Sequence, residues 1–282
     1  HKVWNVVRNK IDLHLGSGDV SRAEKSAVEF LDHLERKGLD GFLLSLTKNL
    51  LSRLPMSEEI MSRLLACAKR LGFARITKRL EEWQSRYTGF DVESISTSPE
   101  RERCFIVANG PSIANLPLHE LKDEDVFCVN RGARAVELGL PQPKYLVVAD
   151  HHVYKNHSQE IDNDGALADN FFVASNCLWH QQPSVPAIPF GSSGLKLSLS
   201  PLDYCPLHFH RGETVVVLAA QLAFMMGYKE IYIIGVDLDY SGPSTHFYGG
   251  GQKETERLMN FRPGGSGTEL VNFAFANLQK SV

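Results

Sequence analysis

The sequence predicts an α/β fold whose core is a Rossmann-like, mostly parallel sheet with helices on both faces, preceded by an all-helical region. Residues 1–97 of the 282 contain amphipathic stretches with helical periodicity and no strand pattern. A segment rich in Ser, Thr, Pro and charged residues follows, and beyond it short apolar runs alternate with helical stretches. We therefore expect a helical region over 1–97 and a Rossmann-like α/β domain over 98–282.

Four helices are predicted in the first region, over residues 21–37, 43–54, 57–71 and 73–87. Ser21 and Glu24 have the spacing of a capping box at the start of the first. We interpret the region as a cap packed on the catalytic domain, with a partner-binding helical array as the alternative. A cluster of basic residues between 69 and 79 leaves open a peripheral contact with anionic lipid.

The second region contains continuous apolar runs of strand length, over residues 104–108, 126–129, 145–149, 171–174 and 231–236. Runs of this kind are typical of strands that helices cover on both faces. Residues 213–226 predict a long buried helix that leads into the last of these strands.

Polar residues follow each of these five runs, and they are Asn109, Asn130, Asp150, the pair Ser175 and Asn176, and Asp237. Because ligands of open parallel sheets bind at the carboxyl ends of the strands, we expect these side chains to line a polar ligand site. Asparagine suits a sugar or a base edge, since its amide both donates and accepts hydrogen bonds.

The turn after the first run, Asn109-Gly110-Pro111-Ser112, is a candidate phosphate cradle. Gly110 allows close backbone approach, and Pro111 is suited to the first position of a helical turn, where N–H groups are free. Thr214, at the start of the long helix, is a further candidate ligand contact. The chain contains neither GxGxxG nor GxxxxGK[ST], which argues against dinucleotide oxidoreductases and P-loop enzymes.

Three histidines are the candidates for a general base: His208 and His210 before the long helix, and His246 after Asp237. Asp237 and Asp239 are candidate Mg²⁺ ligands, although their spacing matches no fixed metal cage. No Cys/His cluster has zinc spacing, and no GxSxG elbow is present.

Bulk composition limits the function classes further. The formal net charge of −3 argues against a nucleic-acid partner. Five scattered cysteines and the absence of an apolar run of about 20 residues indicate a reducing compartment and no membrane span. We expect a cytoplasmic protein, with attachment to the inner face of the membrane left open. The chain begins at His1, and we expect it to be a piece of a longer protein.

Four segments, in order and at compatible spacing, resemble motifs of the bacterial lipooligosaccharide sialyltransferases: residues 106–113, 128–130, 174–176 and 223–237. The related motility accessory factors and the MptE-like pterin pyrophosphokinases of archaea share this superfamily. The pair Thr245-His246 looks more like that related group.

The resemblance implies that residues 98–282 are a nucleotide-sugar-binding catalytic domain. The activity it implies is that of a glycosyltransferase that moves a nonulosonic acid from a CMP-activated donor to a glycan or protein acceptor, with inversion and no metal cofactor. It also implies that Asn109 and Asn130 contact the donor and that Ser175 and Asn176 hold the cytidine or the sugar. His208 or His210 fits the family's base if a small gap is allowed.

Two alternatives stay open. One is a pyrophosphokinase that transfers diphosphate from ATP to a hydroxymethyl group and needs Mg²⁺, with Asp150, Asp237 and Asp239 as candidate ligands. The other is a non-catalytic nucleotide-sugar-binding protein whose helical region binds a partner.

Overall fold

The structure of the chain, a computed structural model, describes residues 2–16, 19–37, 50, 57–87, 95, 99–193, 208–210, 214–237 and 245–249. Apart from Leu50, the helix predicted over 43–54 lies outside these residues, and so does Asp239.

The described part of the N-terminal region is helical, as predicted. Its helices are α1 (Lys2–Gly16), α2 (Val20–Arg36), α3 (Glu58–Arg70) and α4 (Ala74–Tyr87). No separate helix was predicted over the first of these ranges. Ser57 caps α3 as predicted, because its hydroxyl accepts a hydrogen bond from the Ile60 N–H at 3.2 Å.

The predicted capping box of α2 is wrong. The helix begins one residue before Ser21, and Asp19 takes the capping role by accepting from the Arg22 N–H at 2.9 Å. Glu24 instead accepts a hydrogen bond from the Ser57 hydroxyl and so ties α2 to the start of α3. Glu24 thus bonds Ser57, which is distant in the sequence, instead of the start of its own helix, as the spacing to Ser21 indicated.

The helical region is connected to the sheet region through α4. Trp83 of this helix is buried, and the Arg86 guanidinium donates to the carbonyl of Pro183 at 2.5 Å. On the outer side, Lys69 pairs with Glu81 at 2.9 Å. This ion pair offsets part of the basic charge that suggested a lipid contact.

Seven parallel strands of the described residues form one sheet in the order β6-β5-β4-β3-β2-β1-β7. The strands are β1 (Arg103–Val107), β2 (Asp125–Val129), β3 (Tyr145–Val148), β4 (Asn170–Ala174), β5 (Ile188–Ser193), β6 (His208–His210) and β7 (Glu230–Ile234). The helices of this region are α5 (His151–Leu167), α6 (Ser175–His180) and α7 (Val215–Met225). Short 3₁₀ helices cover Pro111–Asn115, Leu118–Asp123 and Gly132–Leu138.

This architecture confirms the predicted Rossmann-like α/β fold. Every residue of β2 and β3 is buried, which explains their continuous apolar sequence. Helix α7 packs on β1, β2, β3, β6 and β7, and its residues from Val216 to Ala223 are buried. All five predicted strands are present with ends shifted by one or two residues.

Strands β5 and β6 were not predicted. The sequence of β5, Ile-Pro-Phe-Gly-Ser-Ser, contains a proline and a glycine, and β6 has only three residues. Neither presents the apolar run that identified the others. No helix in the described part of the chain is long and apolar enough to cross a bilayer. The four described cysteines are all buried, and none of them forms a disulfide.

A buried polar network fixes the amino-terminal edge of the sheet. The Tyr228 hydroxyl donates to the Asp125 carboxylate at 2.5 Å, and the Lys144 ammonium donates to the same carboxylate at 3.0 Å. The Tyr228 and Tyr145 hydroxyls are 3.1 Å apart. Burial, followed by the bond to Asp125, raises the pKa of Tyr228, so the phenol stays protonated.

We expect Tyr228→Phe to lower the free energy of unfolding by about 1–3 kcal/mol, because the buried Asp125 carboxylate loses a donor. Urea unfolding should show a lower midpoint with an unchanged m-value. The control is Tyr232→Phe, since the Tyr232 hydroxyl bonds Glu230 in an exposed position. Equal midpoints for the two variants would contradict a stabilising role of the network.

Candidate functional site

The order of the strands reverses direction at β1. Successive strands from β1 to β6 extend to one side of it, whereas β7 lies on the other side. Ligands of open α/β sheets bind in the crevice at the carboxyl ends of the strands where such a reversal occurs. The crevice between the ends of β1 and β7 is therefore the primary candidate site.

Two loops meet in this crevice and are joined by the Asp237 carboxylate. Its Oδ2 accepts from the Ser112 N–H at 2.8 Å, and its Oδ1 accepts from the Ser112 hydroxyl at 2.5 Å. The Gly110 N–H also donates to the Gly235 carbonyl at 2.8 Å. A Cβ on Gly110 would lie 2.5 Å from Asp237 Oδ2, so only glycine allows the loops to approach this closely.

The predicted phosphate cradle is thus filled by a carboxylate of the same chain. Pro111 does begin a short 3₁₀ helix, as predicted, and Gly110 precedes it. The two Ser112 donors that the sequence suggested for a phosphate are both bonded to Asp237. Asp237 itself is exposed, and each of its oxygens keeps lone pairs that can face a ligand.

The three predicted asparagines follow β1, β2 and β4, and each bonds the backbone at or just beyond the end of a neighbouring strand. The Asn109 side-chain amide donates to the Val129 carbonyl at 3.2 Å. Asn130, which has a positive φ of 51°, accepts from the Ala149 N–H at 3.2 Å. The Asn176 amide donates to the Ala149 carbonyl at 3.1 Å. These groups fix the edge of the site, and contact with a donor substrate stays a prediction for all three.

Other predicted residues lie farther along the same edge. Asp150 caps α5 by accepting from the His152 N–H at 2.8 Å. Ser175 is only 2% exposed at the start of α6, so little of it faces a ligand. Thr214 caps α7 by accepting from the Val216 N–H at 3.4 Å.

The sheet separates the three candidate histidines. His208 and His210 belong to β6, at one edge of the sheet. His246 lies next to the end of β1, because the N–H of the following residue, Phe247, donates to the Asn109 carbonyl at 3.0 Å. Six inter-strand spacings of about 4.8 Å separate β6 from β7, which is roughly 29 Å in a flat sheet. Of the three, His246 is therefore the one that belongs to the β1–β7 crevice.

A similar separation applies to the candidate metal ligands. Asp150 follows β3, and three spacings of about 4.8 Å, roughly 14 Å, lie between β3 and β7. Asp150 and Asp237 are too far apart to bind one ion together. Among the residues that the structure describes, no group of three or more His, Cys, Asp or Glu side chains is arranged to hold a metal.

A charged cluster beside the crevice was not predicted from the sequence. The Arg131 guanidinium donates to both carboxylate oxygens of Glu160, at 3.1 and 3.0 Å. The Tyr248 ring lies over this guanidinium, 4.7 Å from its carbon, and 5.6 Å from that of Arg134. Arg131 directly follows Asn130, so its position after a predicted strand end was a usable signal. The pairing with Tyr248 was not visible in the sequence.

Residues 245–249 form a segment that crosses the carboxyl edge of the sheet, and we call it the crossing segment. The Phe247 N–H is hydrogen-bonded to Asn109, directly after β1, and the Tyr248 ring makes a cation–π contact with Arg131, after β2. The rings of His246 and Tyr248 are 5.0 Å apart. The segment thus places a histidine beside the crevice that contains Asp237, and it places an aromatic ring over two arginines that follow β2.

Asp164 lies at the inner side of the charged cluster. Burial, and after it the negative charge of Glu160, raises the pKa of this carboxyl to about 6, while Arg134 and Arg131 oppose the rise. Its Oδ2 is buried without a hydrogen-bond partner among the described residues. The folded protein therefore binds a proton at Asp164 more tightly than the unfolded chain does.

We expect the contribution of Asp164 to stability to fall as pH rises from about 4 to about 6, because the folded state then has to ionise a buried acid. Asp164→Asn should flatten the dependence of the free energy of unfolding on pH in this range. It should also raise the free energy of unfolding at pH 7 by about 1 kcal/mol, a value reduced because the group is partly exposed. Urea unfolding at pH 4.5 and pH 7 measures both quantities. If Asp164→Asn leaves the difference in unfolding free energy between pH 4.5 and pH 7 unchanged, this expectation is contradicted.

Comparison with known proteins identifies one family. A family model described as 6-hydroxymethylpterin diphosphokinase MptE-like matches residues 74–243, which is more than half of the chain. The matched range includes α4, the strands from β1 to β7, and Asp237. No curated protein and no solved structure matches the chain.

Proposed function

Since the chain belongs to the 6-hydroxymethylpterin diphosphokinase MptE-like family, we propose that it transfers diphosphate from Mg²⁺-bound ATP to the hydroxymethyl group of a pterin-type heterocycle. The observation that carries the proposal is the Asp237 carboxylate in the β1–β7 crevice. It occupies the anion-binding turn, so a bare phosphate would meet negative charge there. A phosphate chain chelated to Mg²⁺ would instead find a ligand for its cation.

The residues of the crevice fit such a cation. Mg²⁺ in nucleotide enzymes is usually held by one or two carboxylates together with the substrate phosphates and water. Asp237 is exposed and is oriented by two hydrogen bonds from Ser112, which leave lone pairs on both oxygens. When bound, the ion would neutralise part of the charge on the phosphates. Asp239 is the second candidate ligand by sequence.

The reaction assigns a role to His246. The acceptor oxygen attacks the β-phosphorus of ATP, the bond from that phosphorus to the α,β-bridging oxygen breaks, and AMP leaves with the bridging oxygen. The acceptor hydroxyl has to lose its proton, and His246 is the candidate histidine nearest to Asp237 in the fold. The guanidinium groups of Arg131 and Arg134 contact Tyr248 and so place positive charge on the side of the crevice where the crossing segment lies.

Transfer of a nonulosonic acid from a CMP-activated donor is the second candidate function. The motif that carries the resemblance to sialyltransferases, residues 223–237, forms the end of α7, the turn at Gly227 and strand β7, and so delivers Asp237 to the crevice. In this reaction Asp237 would serve to hold the Ser112 loop, and no cation would be needed.

A thermal-shift series with CMP, CDP, UDP, ATP and GMP, each with and without Mg²⁺, tests the proposal. A ligand at 100 times its dissociation constant adds about 2.7 kcal/mol of stability, which is readily measured. We expect ATP with Mg²⁺ to stabilise the protein and ATP with EDTA to lose most of the effect. Stabilisation by CMP without metal would overturn the proposal in favour of glycosyl transfer.

We expect Asp237→Asn to weaken Mg²⁺–ATP binding by about 10-fold or more, because the amide removes the charge that faces the cation. The matched control is Asp123→Asn, the same change at an exposed position before β2, at the opposite edge of the sheet. Isothermal titration of both variants measures the difference. Equal affinities would remove Asp237 from the cation site.

A further inference from the structure

The crossing segment is anchored next to the ends of β1 and β2. The Phe247 N–H donates to the Asn109 carbonyl at 3.0 Å, and the Phe247 side chain packs against the hydrophobic core. The centroid of the Tyr248 ring is 4.7 Å from the guanidinium carbon of Arg131. The contacts of Phe247 hold the segment at the end of β1, and the contact of Tyr248 holds it at the residues that follow β2.

Helix α5 fixes the arginine that Tyr248 contacts. The Arg131 guanidinium donates to both carboxylate oxygens of Glu160, at 3.1 and 3.0 Å, and the Arg131 side chain is only 11% exposed. Two parallel hydrogen bonds to one carboxylate define the orientation of a guanidinium, because it cannot turn without breaking both. Arg131 is therefore a cation of fixed position for the aromatic ring.

The attraction between the ring and this cation is strong enough to matter for the position of the segment. A cation is attracted to the face of an aromatic ring within about 6 Å of its centroid, and more strongly where water is excluded. The Arg134 guanidinium is also within this distance, at 5.6 Å. Arg134 is the more exposed of the two arginines, and it lies 3.8 Å from Glu160. Arg131 therefore contributes most of the attraction.

Tyr248 and His246 belong to one tight turn. The Gly249 N–H donates to the His246 carbonyl at 3.0 Å, and Gly249 has a positive φ of 81°, which favours glycine. The rings of His246 and Tyr248 are 5.0 Å apart. A displacement of the Tyr248 ring therefore also displaces His246.

We propose that Tyr248 is a positioning residue that holds His246 beside the β1–β7 crevice, with the Glu160–Arg131 pair as its anchor. The proposal rests on the proposed function, since it takes His246 as the base that removes the acceptor proton. A base has to lie within hydrogen-bonding reach of the proton that it takes, so a small displacement lowers the rate of the reaction. Arg131 and Glu160 act on the reaction through Tyr248.

Hydrogen exchange of the peptide that contains Phe247, measured by mass spectrometry, tests the anchor without any substrate. We expect Tyr248→Leu to lower the protection of this peptide about 3- to 10-fold, the size of one cation–π contact. Tyr248→Phe should retain most of the protection, because phenylalanine keeps the ring face. Arg131→Met should act like Tyr248→Leu, and the double variant should lose no more than either single variant.

The matched control is Tyr232→Leu, the same change at an exposed tyrosine of β7, which should leave the peptide unchanged. Exchange in β3 reports the global stability of each variant. If Tyr248→Leu keeps the protection of the wild type, or if Tyr248→Phe loses as much as Tyr248→Leu, the inference is overturned. The comparison of these two variants decides the matter even if Arg131→Met does not fold.

Steady-state kinetics with Mg²⁺–ATP and 6-hydroxymethylpterin test the link to His246. We expect Tyr248→Leu to lower kcat at least about 5-fold while each KM changes less than about 2-fold, because the base is displaced and the substrates still bind. In the His246→Ala background, Tyr248→Leu should have no further effect. An equal loss of kcat in that background would overturn the positioning role.

The two experiments separate this inference from the proposed function. If the wild-type protein turns over no pterin with Mg²⁺–ATP, the proposed function falls and the positioning role falls with it. The anchoring of the crossing segment by Tyr248 is decided by the exchange measurement alone.

Discussion

The approach of two loops at the ends of β1 and β7 is the constraint on which the candidate site depends. Gly110 has to lack a side chain, because Asp237 and the Gly235 carbonyl occupy the space that a Cβ would need. The closeness in turn lets one carboxylate accept both donors of Ser112. Strand pairing alone would leave these loops independent of each other. The carboxylate joins them, and it determines which charge a ligand meets in the crevice.

The recurrence of asparagine at the strand ends has a structural cause that is separate from ligand binding. Asn109 joins the end of β1 to the end of β2, because its amide donates to Val129. Asn130 joins β2 to the loop after β3 by accepting from Ala149, and Asn176 joins α6 to the same residue. A side chain that both donates and accepts can satisfy the backbone groups that parallel strands leave free at their ends. The asparagines thus hold the loops of the site in register.

The sequence predicted the fold well where burial imposed a pattern. Strands β2 and β3 are covered on both faces, so both are apolar throughout, apart from Asp125 at the start of β2. Strands β5 and β6 lack a continuous apolar run and were missed, because β5 contains a proline and a glycine and β6 has only three residues. The capping role of Asp19 was missed for a related reason: Glu24, which completed the apparent motif, bonds a distant serine instead.

The candidate site was predicted in its location and only partly in its chemistry. Local sequence identified the strand ends and the Gly110 turn, because both are encoded within a few residues. It could not show that Asp237 would take the donors of Ser112, since that contact joins residues 125 positions apart. It could not show that Tyr248 would cover Arg131 either, since this depends on the path of the crossing segment.

The charges around the crevice limit the ligands that it can accept. Asp237 faces it from the β7 side, while Arg131 and Arg134 approach from the β2 side with Glu160 and Asp164 behind them. Because Glu160 offsets much of the arginine charge, the described residues present no strong excess of positive charge to a polyanion. A ligand that brings its own cation, or one that binds through a neutral heterocycle, suits this arrangement better than a free phosphate chain.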